Sequence, residues 1–310
     1  MKPSLAIAIP TFNNPALLQI CLQSLKNQTN KNFVVYIFDD SGNNSLLHTI
    51  KQFKSLKITY FYNQNNLGAL PNMCFAFNFL AAKYKYVMVL HDDDFLHHQY
   101  TQVFYEGLSK VTIDIALFIP KFVEVAQNSI LPLPIQLPHI NYTIATKADL
   151  CLKYLQGMPF AFGSIIYNTK LYKTMSLQNE MYAEFADRPF VLNNLASTSF
   201  IALVENDLYY YRSHGRIDTR WKALTQNNVF NLLEFYKSIL IDTKIITAAL
   251  FKKYATGFLV ESYKNLQFSG NAKGQQQYFI NAFAKGFISL KYLLLQNSSV
   301  NKFATKLKQL

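Results

Sequence analysis

Apolar runs and polar exits alternate along the first hundred residues. Leu5 to Ile9 is an apolar run closed by Pro10-Thr11-Phe12-Asn13-Asn14, and Phe33 to Phe38 is a second, closed by Asp39-Asp40-Ser41-Gly42. Ile58 to Tyr62 is a third, closed by Asn63-Gln64-Asn65-Asn66-Leu67-Gly68. Tyr86 to Leu90 is a fourth, closed by His91 and Asp92-Asp93-Asp94. Short runs rich in β-branched and aromatic residues predict buried strands. Between them Leu17, Leu18, Cys21, Leu22 and Leu25 recur at helical spacing, Ser45 to Phe53 predicts a short helix, and Ala69 to Tyr84 a longer one. Strands alternating with helices predict βαβ units and a parallel sheet. One edge of that sheet then collects the polar exits.

The fourth exit carries the most chemistry. Ligands of open α/β sheets bind at the carboxyl ends of the strands. Three adjacent carboxylates repel, and each is driven toward its protonated form unless a cation or donors compensate. A divalent metal with a bound phosphate compensates economically, because Mg²⁺ and Mn²⁺ prefer carboxylate and phosphate oxygens. An isolated acidic triplet is equally a solvated turn; its place at a strand end is what favours a metal–diphosphate site.

Four segments, taken in order and spacing, resemble the family 2 glycosyltransferases with the GT-A fold over roughly the first 220 residues. They are Ile9-Pro10-Thr11-Phe12-Asn13, Phe38-Asp39-Asp40-Ser41, Asn66-Leu67-Gly68 with Asn72, and Leu90-His91-Asp92-Asp93-Asp94. The resemblance implies an α/β protein with a mixed sheet flanked by helices. It implies a catalytic domain over 1–220 and a C-terminal helical region over 221–310. It also implies that Pro10, Thr11 and Asn13 line the nucleotide pocket and that Asp39 accepts hydrogen bonds from base or ribose. The turn at Asn66 and Gly68, with Asn72, would close on the nucleotide, a use for glycine's backbone freedom. Asp93 would hold Mn²⁺ or Mg²⁺, with Asp92 near ribose or metal and Asp94 behind them. His91 stands at the first position of the family's D-x-D, where it is either a ligand or a structural, ribose-contacting residue.

Sugar transfer with inversion needs a base for the acceptor hydroxyl, and a partly buried carboxylate suits that task. Ala183-Glu184-Phe185-Ala186-Asp187-Arg188-Pro189-Phe190 resembles the family's acidic motif. Asp187, with Pro189 behind it, also reads as a helix start; the resemblance makes it the catalytic base, with Glu184 as the substitute. Asp207-Leu208-Tyr209-Tyr210-Tyr211-Arg212-Ser213-His214-Gly215 resembles the family's Y-R-x-H segment. There Arg212 and His214 would approach the diphosphate, offering donors to its charge, and Arg216, Asp218 and Arg220 would sit in a loop over the donor. Gly157 to Ser164 would border the acceptor cleft, and the proline-bearing stretch Gln127 to His139 reads as irregular.

Composition fits an enzyme that works at a surface. A chain of 310 residues, 50% hydrophobic, suffices for one large domain and an appendage. Cys21, Cys74 and Cys151 are scattered, with neither zinc spacing nor a disulfide framework, which fits a reducing cytoplasm. The first apolar run is too short for a signal peptide. Residues 221–310 hold 12 lysines against 3 acidic residues, a net +9 of the total +12. Val229 to Leu240, Thr247 to Leu266 and Gln275 to Leu295 predict helices there. The last carries Tyr278, Phe279, Phe283, Phe287, Ile288, Leu290 and Leu294 beside Lys285 and Lys291. It is too interrupted for a span of ~20 apolar residues; it reads either as an amphipathic helix on an anionic leaflet or as a helix packed on the rest of the protein.

The expectation is therefore an inverting, metal-dependent transferase moving sugar from a nucleotide-diphospho-sugar, first a UDP-sugar, to a glycan or lipid-linked acceptor. Cell-surface polysaccharide or lipooligosaccharide synthesis is the implied setting, in the cytoplasm or peripherally at the inner membrane face. A basic nucleic-acid-binding protein would leave acidic clusters at separate strand ends unexplained, so nucleic acid is not expected. A nucleotidyltransferase shares the metal–diphosphate logic, yet expects a glycine- and Lys/Arg-bearing loop where Pro10 to Pro15 has none.

Overall fold

The computed structural model describes residues 4–296 apart from 111–113, 133–134, 138, 159, 214–222, 269 and 272–273. Chain contacts divide it into two compact units. The first comprises Met1–Lys147, Phe160–Leu177 and Asn194–Gly215. Its strands are β1 (Leu5–Thr11), β2 (Phe33–Asp39), β3 (Ile58–Tyr62), β4 (Tyr86–Val89), β5 (Phe95–Leu96), β6 (Ile115–Val125), β7 (Tyr142–Ala145), β8 (Ile166–Asn168) and β9 (Phe200–Arg212). Helices α1 (Pro15–Lys26), α2 (Leu47–Lys51), α3 (Ala69–Ala81) and α4 (Tyr100–Lys110) belong to the same unit.

The sheet order is β3-β2-β1-β4-β8-β6-β9-β5, with β7 paired to β9. Strands β3, β2, β1 and β4 are parallel, as the alternation of strand and helix predicts. Beyond β4 the sheet is mixed: β8 runs antiparallel to β4 and β6, while β6 and β9 run parallel. Leu5, Ala6, Ile7, Ala8 and Ile9 are all fully buried, which explains an unbroken apolar run where a half-exposed strand would alternate. Helix α1 starts at Pro15, whose missing N–H costs nothing in a first turn, and buries Leu18, Cys21, Leu22 and Leu25.

The second unit comprises Ala148–Pro159, Gln178–Asn193 and Arg216–Leu310. Its described residues form α5 (Lys147–Leu155), α6 (Asn179–Tyr182), a 3₁₀ turn at Ala183–Phe185, α7 (Asp187–Asn193), α8 (Gln226–Leu240), α9 (Ala248–Phe268), α10 (Gln275–Ala284) and α11 (Leu290–Gln296). Thr225 and Asn228 form a capping box that starts α8. The Asn228 amide also donates to the Glu180 and Met181 carbonyls at 3.1 and 2.9 Å, tying α8 to α6.

The single helix expected over Gln275 to Leu295 is two. Gly286, at φ 75°, ends α10: its N–H reaches the Phe283 carbonyl, and the Phe287 N–H reaches that of Ala282. That pair of bonds is a Schellman stop, which needs a left-handed residue. Tyr278, Phe279, Phe287 and Ile288 then lie in the core of this unit, where Phe230 meets Tyr278 at 5.5 Å and Phe287 at 5.6 Å between ring centroids. Ile280, Phe283, Leu290 and Leu294 stay exposed. Among the described residues no helix is long and apolar enough to cross a membrane.

Candidate functional site

The ends of β1, β2 and β4 are locked side by side by main-chain bonds. Asp40 N–H donates to the Thr11 carbonyl, Asn63 N–H to that of Asp39 and Leu90 N–H to that of Ala8, each at 2.9 Å. A cleft of about 590 Å³ opens there, lined by Pro10, Thr11 and Phe12, by Asp40, by Asn66, Gly68 and Asn72, and by His91, Asp92 and Asp93. Asn14, Ala69, Leu70 and Met73 complete it.

On one side the wall is a turn hung from a carboxylate. Asp40 accepts the N–H groups of Leu67 and Gly68 at 2.8 Å each, and the Asn63 amide at 3.1 Å. Gly68 sits at φ 88°, which only glycine adopts without strain, and its N–H also reaches the Asn66 side chain. Asn72 donates to the Phe38 carbonyl at 2.9 Å, pinning α3 to the end of β2.

Adjacent residues at a strand end point to opposite faces, and this separates two aspartates that the sequence sets together. Asp39 is fully buried; its oxygens take the Tyr60 hydroxyl at 2.7 Å and the Ser41 N–H and hydroxyl. The structure thus leaves Asp39, expected to meet base or ribose, outside the cleft lining and puts Asp40 there. Asn13 is likewise not a lining residue: at φ 47° it donates its N–H to Ser41, while Phe12, 53% exposed, lines the cleft.

The acidic turn between β4 and β5 has a different partner for each carboxylate. Asp92 accepts the Thr11 hydroxyl at 2.6 Å; burial and the neighbouring Asp93 push its carboxyl up to about 7 against the pull of Thr11, His91 and the Phe12 N–H. Asp94, 1% exposed, accepts the Tyr209 hydroxyl at 2.5 Å and the Arg212 N–H at 2.7 Å. Its carboxylate also faces His91 Nδ1 at 3.4 Å. Burial opposes a charge on His91, but the Asp94 hydrogen bond and the three carboxylates outweigh it and push the imidazole up to about 9. Gly163 is part of this packing: a Cβ there would stand 2.3 Å from the Tyr209 oxygen and 3.3 Å from His91.

His91, Asp93 and Asp94 each offer one ligand atom, all within 4.8 Å of one another. Two carboxylates and an imidazole fit a divalent cation, the imidazole suiting Mg²⁺ less than a transition metal. Asp93 and His91 line the cleft, whereas the Asp94 oxygens are engaged elsewhere.

Arg212 was expected at the diphosphate, and the structure buries it instead. It is 1% exposed, with Nε on the Asp93 carbonyl at 2.7 Å and Nη1 on the carbonyls of Ala126, Gln127 and Ser129. β9 reaches this far because it is 13 residues long, and its end clamps the acidic turn. His214, Arg216, Asp218 and Arg220 lie outside the described residues.

In the second unit Asp187 opens α7, half-buried. Burial pushes its carboxyl up; the charge of Arg188 and the N–H groups of Arg188 and Asp187 pull it back. Glu184 is exposed in the preceding turn.

Residues 6–173, more than half of the chain, match the family described as Glycosyl transferase family 2. A stretch of 141 residues, 44% of the chain, is 30% identical to chondroitin synthase of Escherichia coli and spans 20% of that protein. Among solved structures, S. aureus TarS superposes with a TM-score of 0.60 at 16% identity, over 94% of this chain and 50% of its own. TarS 1-349 in complex with UDP-GlcNAc gives 0.55 at 15% identity over 96% of this chain and 92% of its own. The mannosyltransferase PcManGT from Pyrobaculum calidifontis, in complex with GDP-Man and Mn²⁺, gives 0.53 at 10% identity over 98% of this chain and 84% of its own. At such identities the likeness is one of fold.

Proposed function

Because the chain belongs to glycosyl transferase family 2 and has the GT-A fold, we propose that it is a metal-dependent, inverting transferase taking sugar from a nucleotide-diphosphate donor. The acceptor is a hydroxyl of a glycan or lipid-linked molecule in cell-surface glycan synthesis. The supporting observation is the cleft itself, where the Asp40-held turn faces a second wall of His91, Asp92 and Asp93. TarS in complex with UDP-GlcNAc makes a UDP-sugar the first donor to test.

Asp93 would hold Mn²⁺ or Mg²⁺, which when bound supplies Lewis-acid neutralisation of the leaving diphosphate. Pro10, Thr11, Phe12, Gly68 and Asn72 shape the nucleoside side. Asp187 takes the proton of the acceptor hydroxyl as that oxygen bonds to the anomeric carbon. The bond from that carbon to the diphosphate oxygen breaks, its electron pair leaving with the nucleoside diphosphate. Attack from the face opposite the leaving group inverts the centre. The exposed Ile280, Phe283, Leu290 and Leu294, in a region rich in lysine, support an anionic membrane surface, the cytoplasmic leaflet, as the place of work.

A thermal-shift panel of nucleoside diphosphates and nucleotide sugars, with and without Mn²⁺, tests this. A ligand at a hundredfold excess over its dissociation constant adds ~2.7 kcal/mol of apparent stability. A shift that needs Mn²⁺ and selects one nucleotide is expected. No shift with any nucleotide would overturn the proposal.

A further inference from the structure

The end of β9 grips the acidic turn at three acceptor atoms. Arg212 Nε donates to the Asp93 carbonyl at 2.7 Å. The Arg212 N–H and the Tyr209 hydroxyl donate to the two Asp94 carboxylate oxygens, at 2.7 and 2.5 Å. The strand that leaves the turn, β5, is laddered to the same segment, with Phe95 opposite Tyr210 and Leu96 opposite Tyr209. Asp93 is thus held by its own main chain and by the anchored side chain of its neighbour, while Asp92 before it accepts the Thr11 hydroxyl at 2.6 Å.

The Arg212 side chain is spent on this geometry. The residue is 1% exposed, and among the described residues its guanidinium hydrogen-bonds to main-chain carbonyls alone. Nε serves Asp93, and Nη1 serves Ala126, Gln127 and Ser129. Cζ lies 5.3 Å from the centroid of the Phe95 ring. Nη2 is buried with no hydrogen-bond partner among the described residues. An arginine keeps its charge in a protein, and an apolar side chain of similar volume would fill buried space more cheaply. What only the planar fork supplies is donors aimed in two directions at once. One reaches the acidic turn; the other reaches the turn at Ala126, which the Ser129 N–H closes at 3.0 Å.

We infer that Arg212 and Tyr209 are the positioning residues of the metal ligand, fixing Asp93 at the cleft through the main chain of the acidic turn and the Asp94 carboxylate. The inference rests on the proposed role of Asp93. Neither residue lines the cleft, whereas Asp93 does, so both act through the turn. Partners that orient a metal ligand without touching the metal are worth about 10–100-fold in metal affinity.

The test uses the full chain. Free Mn²⁺ is read from its EPR signal in the presence of UDP, or of whichever nucleoside diphosphate the panel above selects, against the same mixture without protein. Arg212→Lys keeps a charge but lacks the fork, and its Mn²⁺ dissociation constant is expected to rise about 10–100-fold. Tyr209→Phe keeps the ring and loses the bond to Asp94, and a rise of about 10-fold is expected. In both variants saturating Mn²⁺ should restore the nucleotide-dependent thermal shift, a recovery that a collapsed cleft would not allow.

A folded Arg212→Lys that binds Mn²⁺ as the wild type does would overturn the inference, as would a loss of nucleotide binding that no Mn²⁺ concentration restores. Should Arg212→Lys not fold, Tyr209→Phe decides: unchanged Mn²⁺ binding overturns it equally. Asp93→Asn separates the levels. If that variant binds Mn²⁺ normally, the metal-ligand assignment fails; if it loses Mn²⁺ while Arg212→Lys and Tyr209→Phe keep it, only the inference fails.

Discussion

The Asp40 carboxylate holds the main-chain N–H of Gly68 at 2.8 Å across 28 residues of chain. Through this bond, and its companion to Leu67, the end of β2 fixes the turn that walls the cleft. The geometry needs an acceptor with two oxygens at Asp40 and a residue free to adopt φ 88° at position 68.

Asp40→Ala strands these donors. Hydrogen bonds to a charged group contribute ~1.5–3 kcal/mol, and because these donors are only part-buried a loss of about 1–2 kcal/mol is expected in denaturant unfolding. Nucleotide affinity should weaken with it, because the lost bonds hold the cleft wall. Asp40→Asn, which keeps one acceptor oxygen, should fall between.

Gly163→Ala brings a methyl to 2.3 Å from the Tyr209 oxygen. Overpacking of that kind costs ~1–3 kcal/mol. The ring that must yield donates to Asp94, so the disturbance reaches the acidic turn. Calorimetric unfolding and a Mn²⁺ titration of nucleotide binding should both show the loss; unchanged metal dependence would mean that Tyr209 does not hold the turn.

Gly286→Ala separates backbone strain from packing, because nothing lies within 4 Å of the added Cβ. A stability loss of ~1 kcal/mol from the left-handed φ is expected, with sugar transfer unchanged.

Strands β1 and β4 are legible in the sequence because both of their faces are buried, so Leu5 to Ile9 and Tyr86 to Val89 carry no polar interruption; β2 and the partly exposed β3 are legible from their β-branched and aromatic content. The cleft is legible for the same reason, since strand exits must be polar to reach solvent. Which of Asp39 and Asp40 faces the cleft is not, because it depends on Tyr60, 21 residues away, reaching back to claim Asp39. Phe12 could be found by asking why a large aromatic stands in a polar exit. Burial of Arg212 is set by carbonyls of Ala126, Gln127 and Ser129, some 85 residues upstream, and no local pattern encodes it. The break at Gly286 is a local signal, a glycine followed by an apolar residue, that helical periodicity alone passes over.

Asp187→Asn should bind nucleotide and metal as the wild type does and lose transfer by ~10²–10⁴-fold, the usual worth of a positioned base. Burial raises the Asp187 carboxyl, so the group stays protonated, and inactive as a base, to higher pH than an ordinary carboxylate. Transfer in the wild type is therefore expected to fall as pH is lowered while still above the usual carboxylate range. A pH–rate profile with its acid limb at an ordinary carboxylate position would contradict the assignment.

The most direct measurement is the product released from a nucleotide sugar by wild type and by Asp93→Asn, each with Mn²⁺ and with chelator. Free nucleoside diphosphate that requires both metal and Asp93 is the predicted result. Pyrophosphate as the product, or equal release by Asp93→Asn, would contradict a metal–diphosphate site at the end of β4.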